Sequence, residues 1–229
     1  MKKINKATEP DSLIQHRANQ PAFFNNLPLE AKKDLRQSLL IEQGHICCYC
    51  LKRIPEKLAF ENSEIYNMKI EHFQCQDIFP QFQLTYNNLL GACMGNEGKP
   101  KKLQTCDTKK ANNELRINPS SPHPNCETLF KYNADGEISS INDDEVINNQ
   151  LNNILNLNMQ SLKDARKEVY LAVQKKVENE SKRLTNKQLR VSFFEQERNN
   201  WFIKTDNKFR PFCMVAIYYL TKKIRQNQQ

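Results

Sequence analysis

Apolar residues recur at helical spacing over much of the chain. Between residues 28 and 44, Leu29, Leu35 and Leu39 follow this spacing and Gly44 stands where a helix would end, so we predict a helix there. The apolar positions of residues 1–26 follow neither helical nor strand spacing, so we predict only a short segment that leads into this helix. Further helices are predicted in the second half at residues 146–157, 160–182, 185–199 and 211–225.

Other stretches alternate between apolar and polar positions, as short strands do. Met68–Phe73 alternates in this way, and a strand there places Ile70 and His72 on one face. Leu129–Tyr132 and Gly136–Ile138 flank an Asn-Ala-Asp-Gly turn and predict a hairpin. Strands of this kind, followed by a mostly helical second half, indicate the α+β class.

The chain divides into three regions by pattern. Residues 1–45 form an N-terminal helical lead-in, residues 46–125 carry the candidate chemistry, and residues 126–229 form a mainly helical region. Within the middle region, the polar insertion Leu51–Asn67 contains Pro55 and mixed charge, which predicts a loop or a loose hairpin.

Composition narrows the class of protein and its partners. The chain has 34 Lys and Arg against 26 Asp and Glu, a formal charge of +8, which favours a polyanion such as nucleic acid, although many soluble proteins are mildly basic. No apolar run is long enough to predict a membrane helix, and the charged start Met1–Lys6 is followed by polar residues instead of an apolar signal segment. We therefore expect a cytoplasmic protein.

Four of the eight cysteines have the spacing of a zinc site. In the reducing cytosol, cysteines that cluster along the chain indicate metal binding more than disulfides. Cys47 and Cys50 form a Cys-x-x-Cys turn, and Cys93 and Cys106 follow some forty residues later. Twelve residues separate the second pair, so Cys93 is the least certain of the four ligands. Cys48, in the middle of the first turn, is left out.

Three further side chains lie along the chain among these cysteines, and their types suit metal-assisted hydrolysis. His72 follows Glu71 on the predicted strand, Asn88 precedes Cys93, and Asp107 follows Cys106. A histidine beside a glutamate is more often a surface pair or a packed ring, and asparagines commonly shape turns. The flanking thiol pairs make the catalytic interpretation the stronger one.

Together these motifs resemble the HNH nucleases, the ββα-metal family. The resemblance covers Cys47–Lys110: a Cys-x-x-Cys turn, an acid-His pair, Asn-Leu after a loop, a second thiol pair, and an acid and lysines after the last cysteine. Ile117–Pro119, Phe130–Tyr132 and Ile154–Asn158 extend the similarity to the PtuB family, the nuclease effectors of Septu and retron-linked anti-phage systems.

The resemblance implies a ββα-metal core with a structural Zn²⁺, followed by a mostly α-helical C-terminal region. The thiols of Cys47, Cys50, Cys93 and Cys106 would hold the zinc.

It also implies the catalytic roles. His72 would be the general base, Glu71 and Asp107 would bind a catalytic Mg²⁺ or Mn²⁺, and Asn88 would hold the loop and orient the histidine. Lysines after the last cysteine would contact phosphate, which here are Lys109 and Lys110. Asp107 stands where His or Asn is usual in the family and Glu71 where Asp is more usual, so the preferred metal could differ.

The family's substrates and partners give the remaining expectations. Septu-like systems imply DNA cleavage, whereas the retron-linked version implies cleavage of tRNA. A PtuA-like ATPase would regulate the nuclease and dock on the helical region, and a retron reverse transcriptase with its msDNA could join through that ATPase. The rival interpretation is a zinc-stabilised module that binds nucleic acid or protein and has lost catalysis.

Overall fold

The computed structural model describes residues 1–55, 58–60, 63–65 and 67–228. The helices are α1 Asp11–Ala18, α2 Leu29–Glu42, α3 Cys106–Lys110, α4 Glu145–Asn149, α5 Gln160–Arg183, α6 Lys187–Phe202 and α7 Cys213–Gln228. The strands are β1 Leu58–Phe60, β2 Ser63–Ile65, β3 Met68–His72, β4 Leu89–Cys93, β5 Phe130–Tyr132 and β6 Ile138–Ser140. The fold is therefore α+β, as predicted.

Helix α2 leads the chain into the first cysteine turn. It buries Leu35 and Leu39 completely, and Pro28 precedes its first residue with φ near the value that a helix needs. The predicted stop at Gly44 is confirmed, with φ +60° after the last turn. A Cβ at Gly44 would lie 2.4 Å from a ring carbon of Phe209, so glycine also allows a close approach of the segment before α7.

The strands form three antiparallel pairs. The predicted strand at residues 68–73 is confirmed as β3, which pairs with β4 in a register that places Glu71 opposite Leu90 and His72 opposite Leu89. The predicted hairpin is formed by β5 and β6. The insertion Leu51–Asn67 contains the paired strands β1 and β2; its residues 56, 57, 61, 62 and 66 lie outside the described residues.

Two apolar clusters form the interior. The larger joins the N-terminal segment, α2, β4 and the start of α7, and includes Met1, Leu39 and Leu89. The smaller lies among α5, α6 and α7, around Val177 and Leu220. None of the described helices is both long and apolar enough to cross a bilayer.

The segment 146–157 differs from the single helix predicted there. Helix α4 ends at Asn149 and continues as a π-helix over Gln150–Ile154, closed by the bond from Leu155 N to Gln150 O at 2.9 Å. This wider turn keeps Leu151 and Leu155 buried together. An apolar pattern alone cannot distinguish the two helix types because the buried side chains still recur about once per turn.

Candidate functional site

The four predicted thiol ligands lie together in the structure. The Sγ atoms of Cys47, Cys50, Cys93 and Cys106 are all within 4.8 Å of one another. Two pairs, Cys50 with Cys93 and Cys93 with Cys106, are 3.8 Å apart. Tetrahedral zinc with Zn–S bonds of about 2.3 Å requires sulfurs about 3.8 Å apart, so the cluster fits this ion.

A buried glutamine attaches the first cysteine turn to β4. The Gln43 side chain accepts from Gly91 N at 2.7 Å and donates to Gly91 O at 2.8 Å and Ile46 O at 3.0 Å. Cys48 N adds a bond to Gly91 O at 3.0 Å. These bonds place Cys47 and Cys50 beside the end of β4, where Cys93 lies. Gln43 was not predicted from the sequence because nothing in its local pattern marks a buried polar contact.

The long loop between the second pair of thiols closes on itself. Thr105 N donates to Gly95 O at 2.9 Å, which brings the residue before Cys106 back to the end of β4. Cys106 N donates to Leu155 O at 2.9 Å and so ties the start of α3 to the π-helix. Twelve residues can therefore separate two ligands of one cluster, since the bonds at the base of the loop set the geometry.

Glu71 is buried and held by two donors. Its side chain is 1 % exposed, and its Oε1 accepts from Tyr49 OH at 2.6 Å and from Lys110 Nζ at 2.8 Å. Burial raises the pKa of Glu71 well above its usual value, the neighbouring Asp107 carboxylate raises it further, and Lys110 opposes both. A positive charge near this carboxylate is therefore favourable.

Lys110 is also fully buried, with 0 % of its surface exposed. Besides the ion pair with Glu71, its Nζ donates to His72 O at 3.0 Å. The lysine thus links α3 to the end of β3, and its buried position does not suit a contact with a phosphate group. Its neighbour Lys109 is partly exposed and donates to Lys101 O at 3.0 Å.

His72 is mostly buried at the end of β3. Its Nε2 lies 3.0 Å from Gln83 O, and the Phe24 ring packs edge-on against the imidazole with centroids 4.5 Å apart. A carbonyl oxygen only accepts, so Nε2 carries the proton and Nδ1 of the neutral ring is the basic nitrogen. Burial lowers the pKa of His72, while the bond to Gln83 and the Asp107 carboxylate oppose this effect. The ring is thus neutral at pH 7.

Asn88 fixes the loop that follows β3. Its Oδ1 accepts from Gln74 N at 2.8 Å, and its Nδ2 donates to Gln74 O at 2.9 Å and Phe82 O at 3.2 Å. Phe82 directly precedes Gln83, whose carbonyl meets the His72 ring. The asparagine therefore acts on the histidine through the loop.

Asp107 completes the cleft from the first turn of α3. Its Oδ2 lies 3.3 Å from Lys69 Nζ. The Asp107 and Glu97 carboxylates raise the pKa of Lys69, although its partial burial opposes them. A cleft of about 420 Å³ is lined by Glu71, His72 and Asp107 among others. Lys69 and Tyr49 are the polar partners here that the sequence analysis did not single out.

Comparison with known proteins agrees with the resemblance seen in the sequence. No family model matches the chain. The chain is 32 % identical over 111 residues, 47 % of each protein, to a protein named as an HNH endonuclease of retron Vc95 from Vibrio cholerae serotype O1 biovar El Tor. It is 29 % identical over 128 residues, half of this chain and 47 % of the other, to the corresponding retron Ec83 protein of Escherichia coli.

A third relative comes from a Septu system. Over 137 residues, 58 % of this chain and 48 % of the relative, the chain is 29 % identical to the Septu protein PtuB of Bacillus thuringiensis. The matched stretch spans about half the length of each of these relatives. The predicted resemblance to HNH endonucleases and to PtuB is confirmed.

Proposed function

We propose that this protein is an HNH-type endonuclease that hydrolyses phosphodiester bonds with His72 as its general base. The observation that carries the proposal is the cleft in which β3 and the start of α3 place His72, Glu71 and Asp107 together, directly beside the four-thiol cluster. In this proposal β3, β4 and α3 are the ββα core, and the thiol cluster binds the structural zinc that holds it together.

The carboxylates of Glu71 and Asp107 suit a hard divalent cation, Mg²⁺ or Mn²⁺. Burial and then the neighbouring Asp107 carboxylate raise the pKa of Glu71, and a cation shared by the two carboxylates would offset their repulsion. Bound there, the cation would stabilise the charge on the scissile phosphate and on the leaving oxygen.

The chain's own residues supply the proton transfer and the positioning. Nδ1 of the neutral His72 accepts a proton from the attacking water, and the Gln83 carbonyl fixes the tautomer. Tyr49 and Lys110 hold the Glu71 carboxylate in one orientation. We assign Lys110 this positioning role in place of the phosphate contact expected from sequence, and keep Lys109 for the phosphate.

The relatives are named after a Septu system and two retrons, which supports a role in anti-phage defence. The proposed substrate, DNA or tRNA, and the proposed partners rest on the resemblance to the PtuB family. We propose regulation by a PtuA-like ATPase in the cytoplasm, through which a retron reverse transcriptase and its msDNA could join. The exposed apolar residues Phe202 and Ile203, at and just after the end of α6, are the docking surface that we assign to the ATPase.

Substitution of His72 tests the proposed function. Purified protein with Mg²⁺ or Mn²⁺, and with the ATPase, is incubated with plasmid DNA and with tRNA. We expect His72→Ala to reduce cleavage by roughly 10² to 10⁴-fold, the usual contribution of a general base. His123→Ala, at an exposed position, is the matched control and should cleave like the unmodified protein.

The same experiment separates the rival interpretation. Zinc content by elemental analysis and far-UV circular dichroism establish that each variant is folded. Cleavage that persists in folded, zinc-loaded His72→Ala would contradict the assignment of the base. Absence of cleavage in the unmodified protein with either nucleic acid would favour the binding module.

A further inference from the structure

The net positive charge of the chain is concentrated in residues 160–229, which contain its last three helices. Residues 160–229 contain sixteen Lys and Arg against seven Asp and Glu, a net charge of +9. Residues 1–159, which include the whole candidate site, contain eighteen against nineteen, a net charge of −1. The excess of positive charge that favours a polyanionic partner thus lies outside the part of the chain that carries the cleft.

The helix contacts bring much of this charge to one end of the α5–α7 unit. Tyr170 packs on Tyr219 with ring centroids 4.9 Å apart, and Val177 and Ile224 share the small apolar cluster, so α5 and α7 run in the same direction. Lys176 of α5 pairs with Glu197 of α6 at 2.5 Å. Helix α6 follows α5 through the short turn of residues 184–186, so α6 runs back along α5 and α7.

The last turns of α5 and α7 therefore lie at the same end as the first turns of α6. We call this the basic end, and it comprises Lys182, Arg183, Lys187, Arg190 and Arg225. All of these are exposed except Arg190, which is partly buried.

Most of these charges are not neutralised by acids. Arg183 pairs with Glu180 at 2.7 Å, and Arg190 donates to the carbonyls of Leu184 and Thr185 at the end of α5. Within the described part of the chain, no ion pair joins Lys182, Lys187 or Arg225 to a carboxylate.

Helix stabilisation explains only part of the cluster. Basic residues in the last turn of a helix interact favourably with its dipole, which accounts for Lys182, Arg183 and Arg225. Lys187 is the first residue of α6, where the dipole makes a positive charge unfavourable. An external anion offsets this cost.

We propose that the basic end binds the phosphate backbone of the nucleic acid that the cleft cleaves; this inference rests on the proposed function. Phosphate contacts by exposed Lys and Arg supply the sequence-independent part of nucleic-acid affinity. In this proposal the basic end binds the nucleic acid, and the cleft in the nearly neutral residues 1–159 cleaves it.

The length of α5 sets the size of nucleic acid that both surfaces can share. Just before α5, Met159 Sδ contacts Asn96 Nδ2 at 3.7 Å, and the adjacent Glu97 lines the cleft. The 24 residues of α5 then span about 36 Å at about 1.5 Å per residue. At about 3.4 Å per base pair this corresponds to about ten base pairs, so shorter duplexes reach only one of the two surfaces.

Binding without cleavage tests the proposal. Fluorescence anisotropy in EDTA-free buffer without added Mg²⁺ or Mn²⁺ measures the affinity of the His72→Ala protein for labelled duplex DNA of 8 and 24 base pairs and for a tRNA-sized RNA hairpin. The test variant carries Lys182→Gln, Lys187→Gln and Arg225→Gln. The matched control carries Lys131→Gln, Lys163→Gln and Lys167→Gln, which removes the same charge from lysines that already have carboxylate partners.

We expect the basic-end variant to bind the 24-base-pair DNA or the RNA hairpin at least about tenfold more weakly than the control. The slope of the logarithm of its affinity against the logarithm of the salt concentration should be shallower by about one unit per lost phosphate contact. Whichever of the two nucleic acids, duplex DNA or the RNA hairpin, is bound more weakly by the basic-end variant is identified as the ligand. The 8-base-pair duplex should lose its binding most fully, because a duplex of this length held at the basic end is too short to contact the cleft as well.

Equal affinities of the two variants, with unchanged helical circular dichroism, would overturn the proposal, and so would no binding of any nucleic acid by the parent protein. In the second case, loss of ATPase capture by the basic-end variant would assign the surface to a protein partner. Cleavage by the protein with His72 intact is measured separately. If that protein binds nucleic acid through the basic end but does not cleave it, the inference about the basic end stands and the proposed function is contradicted.

Discussion

Two regions of this protein differ in the length of the elements from which they are built. The thiol-held region, residues 46–115, consists of short elements: β3, β4 and α3 have five residues each, too few to be stable alone. The α5–α7 unit consists of helices of 24, 16 and 16 residues that pack through an apolar cluster. Long helices with an apolar stripe are stabilised by packing alone, whereas the short elements pack into the larger apolar cluster and, in the proposed function, are also cross-linked by zinc.

The comparison also separates chemistry from charge. The thiol-held region buries ionisable side chains such as Glu71 and Lys110 at the cleft, and this is where reactive groups with shifted pKa values can be kept. The helical unit buries Arg166 and Glu197 but carries most of its charge on the surface. The first region can hold polar groups in fixed positions, although burying them lowers its stability. The helical unit does not have this task and supplies a charged surface.

The largest expected difference between the regions is their response to loss of a thiol. Cys106→Ser should remove the zinc and unfold the thiol-held region, because structural zinc contributes about 10 to 16 kcal/mol in small zinc domains, as much as the whole stability of a typical fold. Elemental analysis and thermal melting by circular dichroism measure this. Cys48→Ala, beside Cys47 but outside the cluster, is the control, and its loss of zinc would contradict the ligand set.

A smaller effect is expected from the buried ion pair at the cleft. Lys110→Met leaves the Glu71 carboxylate buried without its cation, which costs about 3 to 5 kcal/mol. Urea unfolding measures the loss, and Lys109→Met, one position earlier and partly exposed, should cost less than about 0.5 kcal/mol. Adding Glu71→Gln to Lys110→Met should recover part of the stability; equal costs for the two lysines would exclude the proposed positioning role.

A cavity in the helical unit tests whether the regions are independent. Leu220 is fully buried, and Leu220→Ala should destabilise the unit by about 2 to 5 kcal/mol. Leu171→Ala, at a 46 % exposed position, should change stability by less than about 0.5 kcal/mol. Zinc content should stay constant in both. If Leu220→Ala also released zinc, the contact of Phe209 with Gly44 would couple the two regions.

The smallest effect is the pKa of His72. Burial lowers it, so an NMR titration of the ring protons should give a midpoint below the ordinary value of about 6.5, with the signal assigned by its absence in His72→Ala. The unfolded chain then binds the proton first, so this group makes folding less favourable as the pH falls through about 6.5. A midpoint above that value would mean that Asp107 outweighs burial.

The longer helices and the strands β3, β5 and β6 could be predicted from the sequence because each depends on the spacing of nearby residues. Helix α2, with its end at Gly44, and the hairpin of β5 and β6 follow the predicted patterns. The spacing of Cys47 and Cys50 predicted their joint position, since a Cys-x-x-Cys turn is a local structure. The division of residues 146–157 into α4 and a π-helix was not predictable, because one wider turn leaves the apolar pattern intact.

By itself the sequence determined the α+β class, the thiols of the cluster, the acid-His pair and the resemblance to HNH endonucleases. Only the tertiary structure decided that Cys93 joins a cluster across a twelve-residue loop, that Lys110 lies buried on Glu71, and that Gln83 meets His72. The physical reason is range. Periodicity and motif spacing describe residues that are close along the chain, whereas a buried contact depends on which distant segments pack together, and the sign of a pKa shift depends on that burial.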